Sequence, residues 1–305
     1  MKQFTSIVLS GGSFWTISTV GALKRLAEEQ SLDLVKNYVG TSAGAIICTC
    51  LALGFTPQEC LDFMIAEFVD KRAIKFDPLD ALDVFDTFGL CKGLPLEYFI
   101  DRMFEKKNVS SDITFMEFAK QSGKNLVVCV SNVNTAKSEF WCVDNTPGMT
   151  VKFALRASCS IPLILTPVRY KGSIYCDGCI YNNLPLSYFK DNLLKDIFAV
   201  RVTEFAPYHS ANSMMQYIWR IISSMMVTIT ELNIERFNRD DNIISMYIHC
   251  DDVFDISNDT FELEIHKDKV HKLFHAGYEK AHEIILKQKR QNPPLLLPEL
   301  SLQNS

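Results

Sequence analysis

No histidine occurs before residue 209 in this 305-residue chain; all six (His209, His249, His266, His271, His275 and His282) fall in the last third. Chemistry in the first two thirds must use another proton acceptor or borrow an imidazole from far along the sequence. No apolar run approaches the roughly 18 residues of a membrane-spanning helix. Met1–Thr5 lead quickly to Gly11-Gly12, which leaves no room for the core of a secretion leader. Neither sign of charge dominates: 31 basic and 36 acidic residues give a net −5. That argues against nucleic acid as the main partner and against strong adsorption to anionic membranes.

The cysteines offer little chemistry of their own. There are ten, at positions 48, 50, 60, 91, 129, 142, 159, 176, 179 and 250, mostly in apolar segments where a thiol behaves as a small buried residue. Without a leader they are expected to be reduced thiols of a cytoplasmic protein. One Cys-x-x-Cys exists, Cys176-Asp177-Gly178-Cys179, but it follows an apolar strand pattern and has no matching partner pair. Neither a redox centre nor a metal site is expected, and no cofactor is implied. Repeats, low-complexity tracts and linkers are all lacking. With 48% hydrophobic residues, one large core is expected over 1–290, with a loosely held tail at 291–305 containing Pro293-Pro294 and Pro298.

What is present is concentrated in Tyr38-Val39-Gly40-Thr41-Ser42-Ala43-Gly44, followed by Ala45-Ile46-Ile47. It reads as a strand, a Gly-x-Ser-x-Gly turn and a helix start, the context of a nucleophile elbow. Small residues at Gly40 and Gly44 permit a sharp turn around Ser42, and the helix directs its N-terminal partial charge to the same point. A serine hydroxyl needs a base and oxyanion donors. Gly11-Gly12, after the strand Ser6–Leu9, can offer bare backbone N–H groups. No phosphate or dinucleotide signature competes for that loop.

Two bases are open on the residues alone. A triad would be Ser42, Asp177 and His249 in chain order; otherwise an aspartate acts directly. Asp177 ends the strand Ser173–Cys176 and precedes Gly178, so it takes part in either case.

Strands are also expected at Asn125–Val130 and Glu139–Val143, as a hairpin, and at Asp196–Val202 and Ile243–His249. A helix runs from the first glycines to Gln30, and Thr56-Pro57-Gln58-Glu59 opens another as a capping box. Strands alternating with helices predict an α/β fold, its mainly parallel sheet covered on both faces. Residues 71–94 read as irregular and as a candidate cover. Ala211–Phe237 reads as a helix apolar on more than one face and therefore packed in the core, with a lipid-facing role as the alternative. His266–Lys289 is a second, amphipathic helix.

These pieces together resemble the patatin-like phospholipase family. Leu9-Ser10-Gly11-Gly12-Ser13, Gly40-Thr41-Ser42-Ala43-Gly44 and Asp177-Gly178-Cys179 stand in the family's order. Leu155-Arg156-Ala157-Ser158-Cys159-Ser160-Ile161-Pro162 is similar to the segment before its aspartate, and Asn182-Asn183-Leu184-Pro185 to the continuation after it. Lys272–Leu286 resembles the closing helix. The resemblance implies a three-layer α/β/α sandwich. It also implies a lipid acyl hydrolase of phospholipase A or lysophospholipase type, acting on phospholipid or other acyl lipid at a transient membrane contact. Ser42 would be nucleophile and Asp177 base, with N–H groups of Gly11, Gly12 and Ser13 holding the oxyanion.

There are departures from the family pattern. Ser13 replaces its third loop glycine, Trp15 its arginine, Thr16 the next glycine, and Cys179 the second glycine or alanine after the aspartate. Phe14 and Trp15 are candidates for acyl-chain or interface contact. The competing functions are a soluble carboxylesterase using His249 and an inactive lipid-binding or scaffolding protein on the same fold.

Overall fold

In Ser6-Ile7-Val8-Leu9, Tyr38-Val39 and Leu126-Val127-Val128-Cys129-Val130, nearly every side chain is apolar, as a strand buried on both faces requires. The computed structural model describes residues 3–70, 84–189, 196–205, 214–237, 243–249 and 267–291. Its strands are β1 (Ser6–Leu9), β2 (Asn37–Thr41), β3 (Gly89–Cys91), β4 (Asn125–Asn132), β5 (Lys137–Trp141), β6 (Leu163–Leu165), β7 (Val168–Tyr170), β8 (Ser173–Asp177), β9 (Ile197–Phe205) and β10 (Ile243–His249). The helices are α1 (Ile17–Ala27), α2 (Ala43–Ala52), α3 (Pro57–Met64), α4 (Val84–Thr87), α5 (Leu94–Glu105), α6 (Phe115–Ser122), α7 (Val151–Ser158), α8 (Cys179–Asn182), α9 (Met214–Phe237) and α10 (Lys267–Gln291).

The main sheet runs β10-β9-β1-β2-β4 with every neighbour parallel, and antiparallel strands complete its other side. There β4 carries different partners on its two edges. One edge takes β5, from Val128 opposite Trp141 to Asn132 opposite Lys137. The other takes β2 as far as Thr41 opposite Cys129, and then β8 from Asp177 opposite Val130. The C-terminal ends of β2 and β8 therefore meet along a single edge. The expected hairpin is β4–β5, and the expected strand Ile243–His249 is β10.

Alternate side chains divide the core. Ile7, Leu9, Tyr38, Leu126, Val128, Phe198 and Val200 face a thick layer that includes α1, α2, α3, α5, α7 and α10. Val8, Val39, Val127 and Ala199 face a thinner layer of Leu184, Leu186 and Phe189, with Ile234 of α9 packed against it. This is a three-layer α/β/α arrangement around a mainly parallel sheet.

Local signals hold where the chemistry is local. Thr56 caps α3 as expected: its Oγ accepts from Glu59 N at 3.1 Å, and Glu59 Oε2 accepts from Thr56 N at 2.7 Å. A second capping box, Thr114 with Glu117, opens α6.

Two expectations are corrected. Residues 84–94 are not irregular: they contain α4 and β3, and β3 pairs with β6 in a small separate sheet. The rest of that stretch, 71–83, lies outside the described residues, as do 292–305 of the expected tail. The long helix α9 is not a core element. Met214, Tyr217, Ile221 and Met225 are all exposed, because the thin layer beneath it is filled by the 184–189 segment and offers α9 only one side.

Helix α10 closes the thick layer by crossing α1 at a notch of two glycines. A Cβ on Gly21 would lie 1.9 Å from Phe274 O, and one on Gly277 1.7 Å from Ser18 O. Around the notch, Arg25 Nε donates to His282 Nδ1 at 2.9 Å and Tyr278 Oη to Glu28 at 2.7 Å. Gly277→Ala should therefore lower stability by about 1–3 kcal/mol, because the obstacle is backbone and cannot rotate away. Urea unfolding would check this; an unchanged midpoint would mean the helices do not cross so closely.

Candidate active site

Ser42 leaves β2 at φ 54°, ψ −130°, a conformation that side chains rarely adopt, and caps α2. The turn is compressed from both sides. A Cβ on Gly40 would meet Ala45 N at 2.6 Å, and one on Gly44 would meet Ser10 O at 2.4 Å. Hydrogen bonds at each of its polar groups hold the strained serine. Its carbonyl accepts from Ala45 N at 2.8 Å, its N–H donates to Ser158 Oγ at 2.8 Å, and its hydroxyl donates to Asp177 Oδ2 at 2.6 Å.

The meeting of β2 and β8 on β4 brings the last pair together. Asp177 is fully buried, and its other oxygen accepts from Cys179 N at 2.9 Å. Its own N–H donates to Ser160 O at 2.9 Å. Burial raises its pKa, and the hydrogen bonds from Ser42 and Cys179 only partly oppose this, so it is pushed up to about 6. The buried thiols of Cys129, Cys159, Cys176 and Cys179 contribute apolar surroundings to the carboxylate. Burial pushes all four thiols up, and the charge of Asp177 adds to it. Raised in this way, the thiols are poor nucleophiles near neutral pH.

The glycine loop lies against the serine. A Cβ on Gly11 would sit 2.8 Å from Asn183 Oδ1 and 3.0 Å from Ser42 Cβ, so a side chain there is excluded by the site itself. Gly12 precedes a short 3-10 turn over Ser13–Thr16. Ser13 has φ 49°, the left-handed region that explains why glycine is usual there. Its carbonyl accepts from Thr16 Oγ1 at 2.6 Å. Among the described residues, the N–H groups of Gly11, Gly12 and Ser13 have no intramolecular acceptor.

Two sequence expectations are narrowed by position. Trp15 is 2% exposed, with Lys269 Nζ 5.1 Å from its ring centre. It is a core residue beneath α10, not a surface contact with an interface. Phe14 is buried as well. His249 ends β10, three strand spacings of ~4.8 Å from β2. It also lies five residues beyond Ile244, which is level with Val200 and hence with the end of β1. Its backbone is thus not beside Ser42 and Asp177; its side chain, like His209 and His266, lies outside what the structure describes.

Sequence reasoning missed Ser158 and Asn183 as individual residues. Ser158 Oγ accepts from Ser42 N and donates to Cys129 O at 2.6 Å, while its carbonyl accepts from Gly178 N at 3.3 Å. One buried serine thus ties the elbow, the aspartate turn and β4 together. Both residues sit inside quoted motif segments, but nothing in spacing says that a serine 116 positions away will bind the elbow's N–H.

The patatin-like phospholipase family model matches residues 7–190, a span that holds the glycine loop, Ser42 and Asp177. Over 252 residues the chain is 28% identical to the protein named probable lipid hydrolase 463L of Invertebrate iridescent virus 6, covering 81% of this chain and 86% of that protein. Its fold is similar to VipD of Legionella pneumophila, with TM-score 0.58 at 16% identity over 93% of this chain and 67% of that one. It is also similar to the type III effector ExoU of Pseudomonas aeruginosa, with TM-score 0.53 at 13% identity over 94% of this chain and 54% of that one. These two likenesses concern the fold.

Two outcomes follow from the contacts. Ser158→Ala leaves the Ser42 N–H and the Cys129 carbonyl without their shared partner and should destabilise by about 1–3 kcal/mol, measurable by denaturant unfolding. Asp177→Asn should do the opposite above neutral pH. The folded protein holds the Asp177 proton more tightly than the unfolded chain. Its contribution is therefore fullest below pH about 4 and is lost as pH rises through about 6. The variant should gain on wild type across that range, by up to about 3 kcal/mol at pH 8. A pH-independent difference in unfolding free energy would contradict the burial argument.

Proposed function

This chain belongs to the patatin-like phospholipase family, and we propose that it is a lipid acyl hydrolase of phospholipase A or lysophospholipase type, working through a Ser42–Asp177 dyad. The observation that carries this reading is the 2.6 Å hydrogen bond from Ser42 Oγ to the fully buried carboxylate of Asp177.

Ser42 Oγ attacks the ester carbonyl carbon while its proton passes to Asp177 Oδ2. An aspartate with a pKa near 6 is a stronger base than one at about 3.9 and still ionised at neutral pH. The oxyanion is met by the N–H groups of Gly11, Gly12 and Ser13, assisted by the N-terminus of α2. Asp177 then returns its proton to the departing alcohol, leaving an acyl group on Ser42. Water attacks that ester, Asp177 takes the water's proton and passes it back to Ser42 Oγ, and the fatty acid leaves. Ser13 in place of glycine does not remove an N–H from this set, so the substitution alone gives no reason to prefer an inactive scaffold. The position of His249 gives none to prefer a triad.

Hydrolysis of a short-chain ester and of phosphatidylcholine vesicles should fall by about 10³-fold or more in Ser42→Ala and be unchanged in His249→Ala. With wild type, kcat/KM should decline as pH drops through about 6, since protonated Asp177 cannot accept the serine proton. Activity that survives Ser42→Ala, or that disappears with His249→Ala, would overturn the dyad.

A further inference from the structure

The helix expected to be buried leaves an apolar stripe facing outward. Met214, Tyr217, Ile218, Ile221, Met225 and Leu232 recur at helical spacing along one side of α9, and each is between 36% and 73% exposed. The opposite side holds the helix to the body. Met226 Sδ lies 3.9 Å from Cys179 Sγ, Asn233 Nδ2 donates to Tyr181 O at 3.4 Å, and Thr230 is buried. The helix is apolar on both sides, and only one of them is covered. A stripe of this length left in water marks a surface that something covers.

Three features choose the occupant. First, α9 rests on α8, whose first residue, Cys179, donates its N–H to Asp177. The stripe is therefore separated from the site by little more than the thickness of one helix, about 10 Å. Second, from 214 to 230 Arg220 is the sole charged residue; the carboxylates of α9 are confined to its C-terminal end, at Glu231, which pairs with Arg201, and Glu235. Third, Tyr217 sits within the stripe, and an amphipathic ring suits a boundary between apolar chains and water.

We propose that the outer face of α9 docks the protein on a lipid–water interface, holding the Ser42–Asp177 site close to the aggregate that contains its substrate. The choice of occupant rests on the acyl-hydrolase reading above. With a net charge of −5 on the whole chain, the attachment is apolar: it requires no anionic lipid and changes little with salt.

The test is flotation with phosphatidylcholine vesicles, comparing Ser42→Ala protein with the same protein carrying Ile218→Glu, Ile221→Glu and Met225→Glu. Keeping Ser42→Ala in both prevents lipid turnover during the measurement. At least tenfold weaker partition is expected for the multiple variant, with little salt dependence for the parent. In the background with Ser42 restored, vesicle hydrolysis should fall in parallel while short-chain ester hydrolysis stays unchanged. Circular dichroism checks folding, and Ile221→Ser with Met225→Ser replaces the glutamate set should that set fail to fold. Equal partition of parent and variant would overturn the proposal, as would absence of any vesicle binding. So would a wild-type dimer that the substitutions convert to monomer without changing partition, which would make the stripe a contact between copies. Absent short-chain ester hydrolysis in wild type would defeat the acyl-hydrolase reading instead, and the partition result would still decide docking.

Discussion

The arrangement of the site depends on one edge of β4. That edge is long enough for two strands in succession: parallel β2 as far as Thr41, and antiparallel β8 from Asp177. Because the two approach from opposite directions, their C-terminal ends abut. Ser42 and Asp177, separated by 135 residues, become neighbours without a loop having to reach. A pair positioned by adjoining strands of a buried sheet is held more rigidly than one carried on surface loops. The tie through Ser158 adds a third element, α7, to the same point.

Such an arrangement opposes stability locally. Ser42 has a strained backbone, Ser13 occupies a left-handed conformation, and Asp177 is a carboxylate without solvent. The surroundings keep these states from relaxing: Gly40 and Gly44 bring backbones too close for an alternative turn, and α10 locks over α1 through the Gly21–Gly277 notch. The energy of the large core exceeds the local strain, and the result is a hydroxyl that donates to a carboxylate whose pKa is raised to about 6.

The departures from the family pattern have different meanings in three dimensions. Ser13 keeps the backbone form for which glycine is the usual residue. Trp15, standing where the family pattern has an arginine, fills core volume under α10, with Lys269 above it. Cys179 supplies the N–H that holds Asp177 and a thiol that touches Met226 of α9. A small apolar residue there suits both contacts.

The sequence by itself determined the α/β class, most strand positions, the capping boxes and the identity of the chemically distinctive residues. Those features are written in short-range terms: alternation or continuity of apolar residues, glycines beside a serine, a threonine three positions before a glutamate. The tertiary structure decided what depends on distant partners. It set β8 end to end with β2, placed His249 at the end of the edge strand β10, and selected Ser158 as the elbow's acceptor. It also buried Trp15 and left α9 outside. The composition of α9 reads the same in either setting. Only the filling of the thin layer by Leu184, Leu186 and Phe189 determines that its apolar stripe faces outward, because burial is a property of neighbouring volume and not of the helix itself.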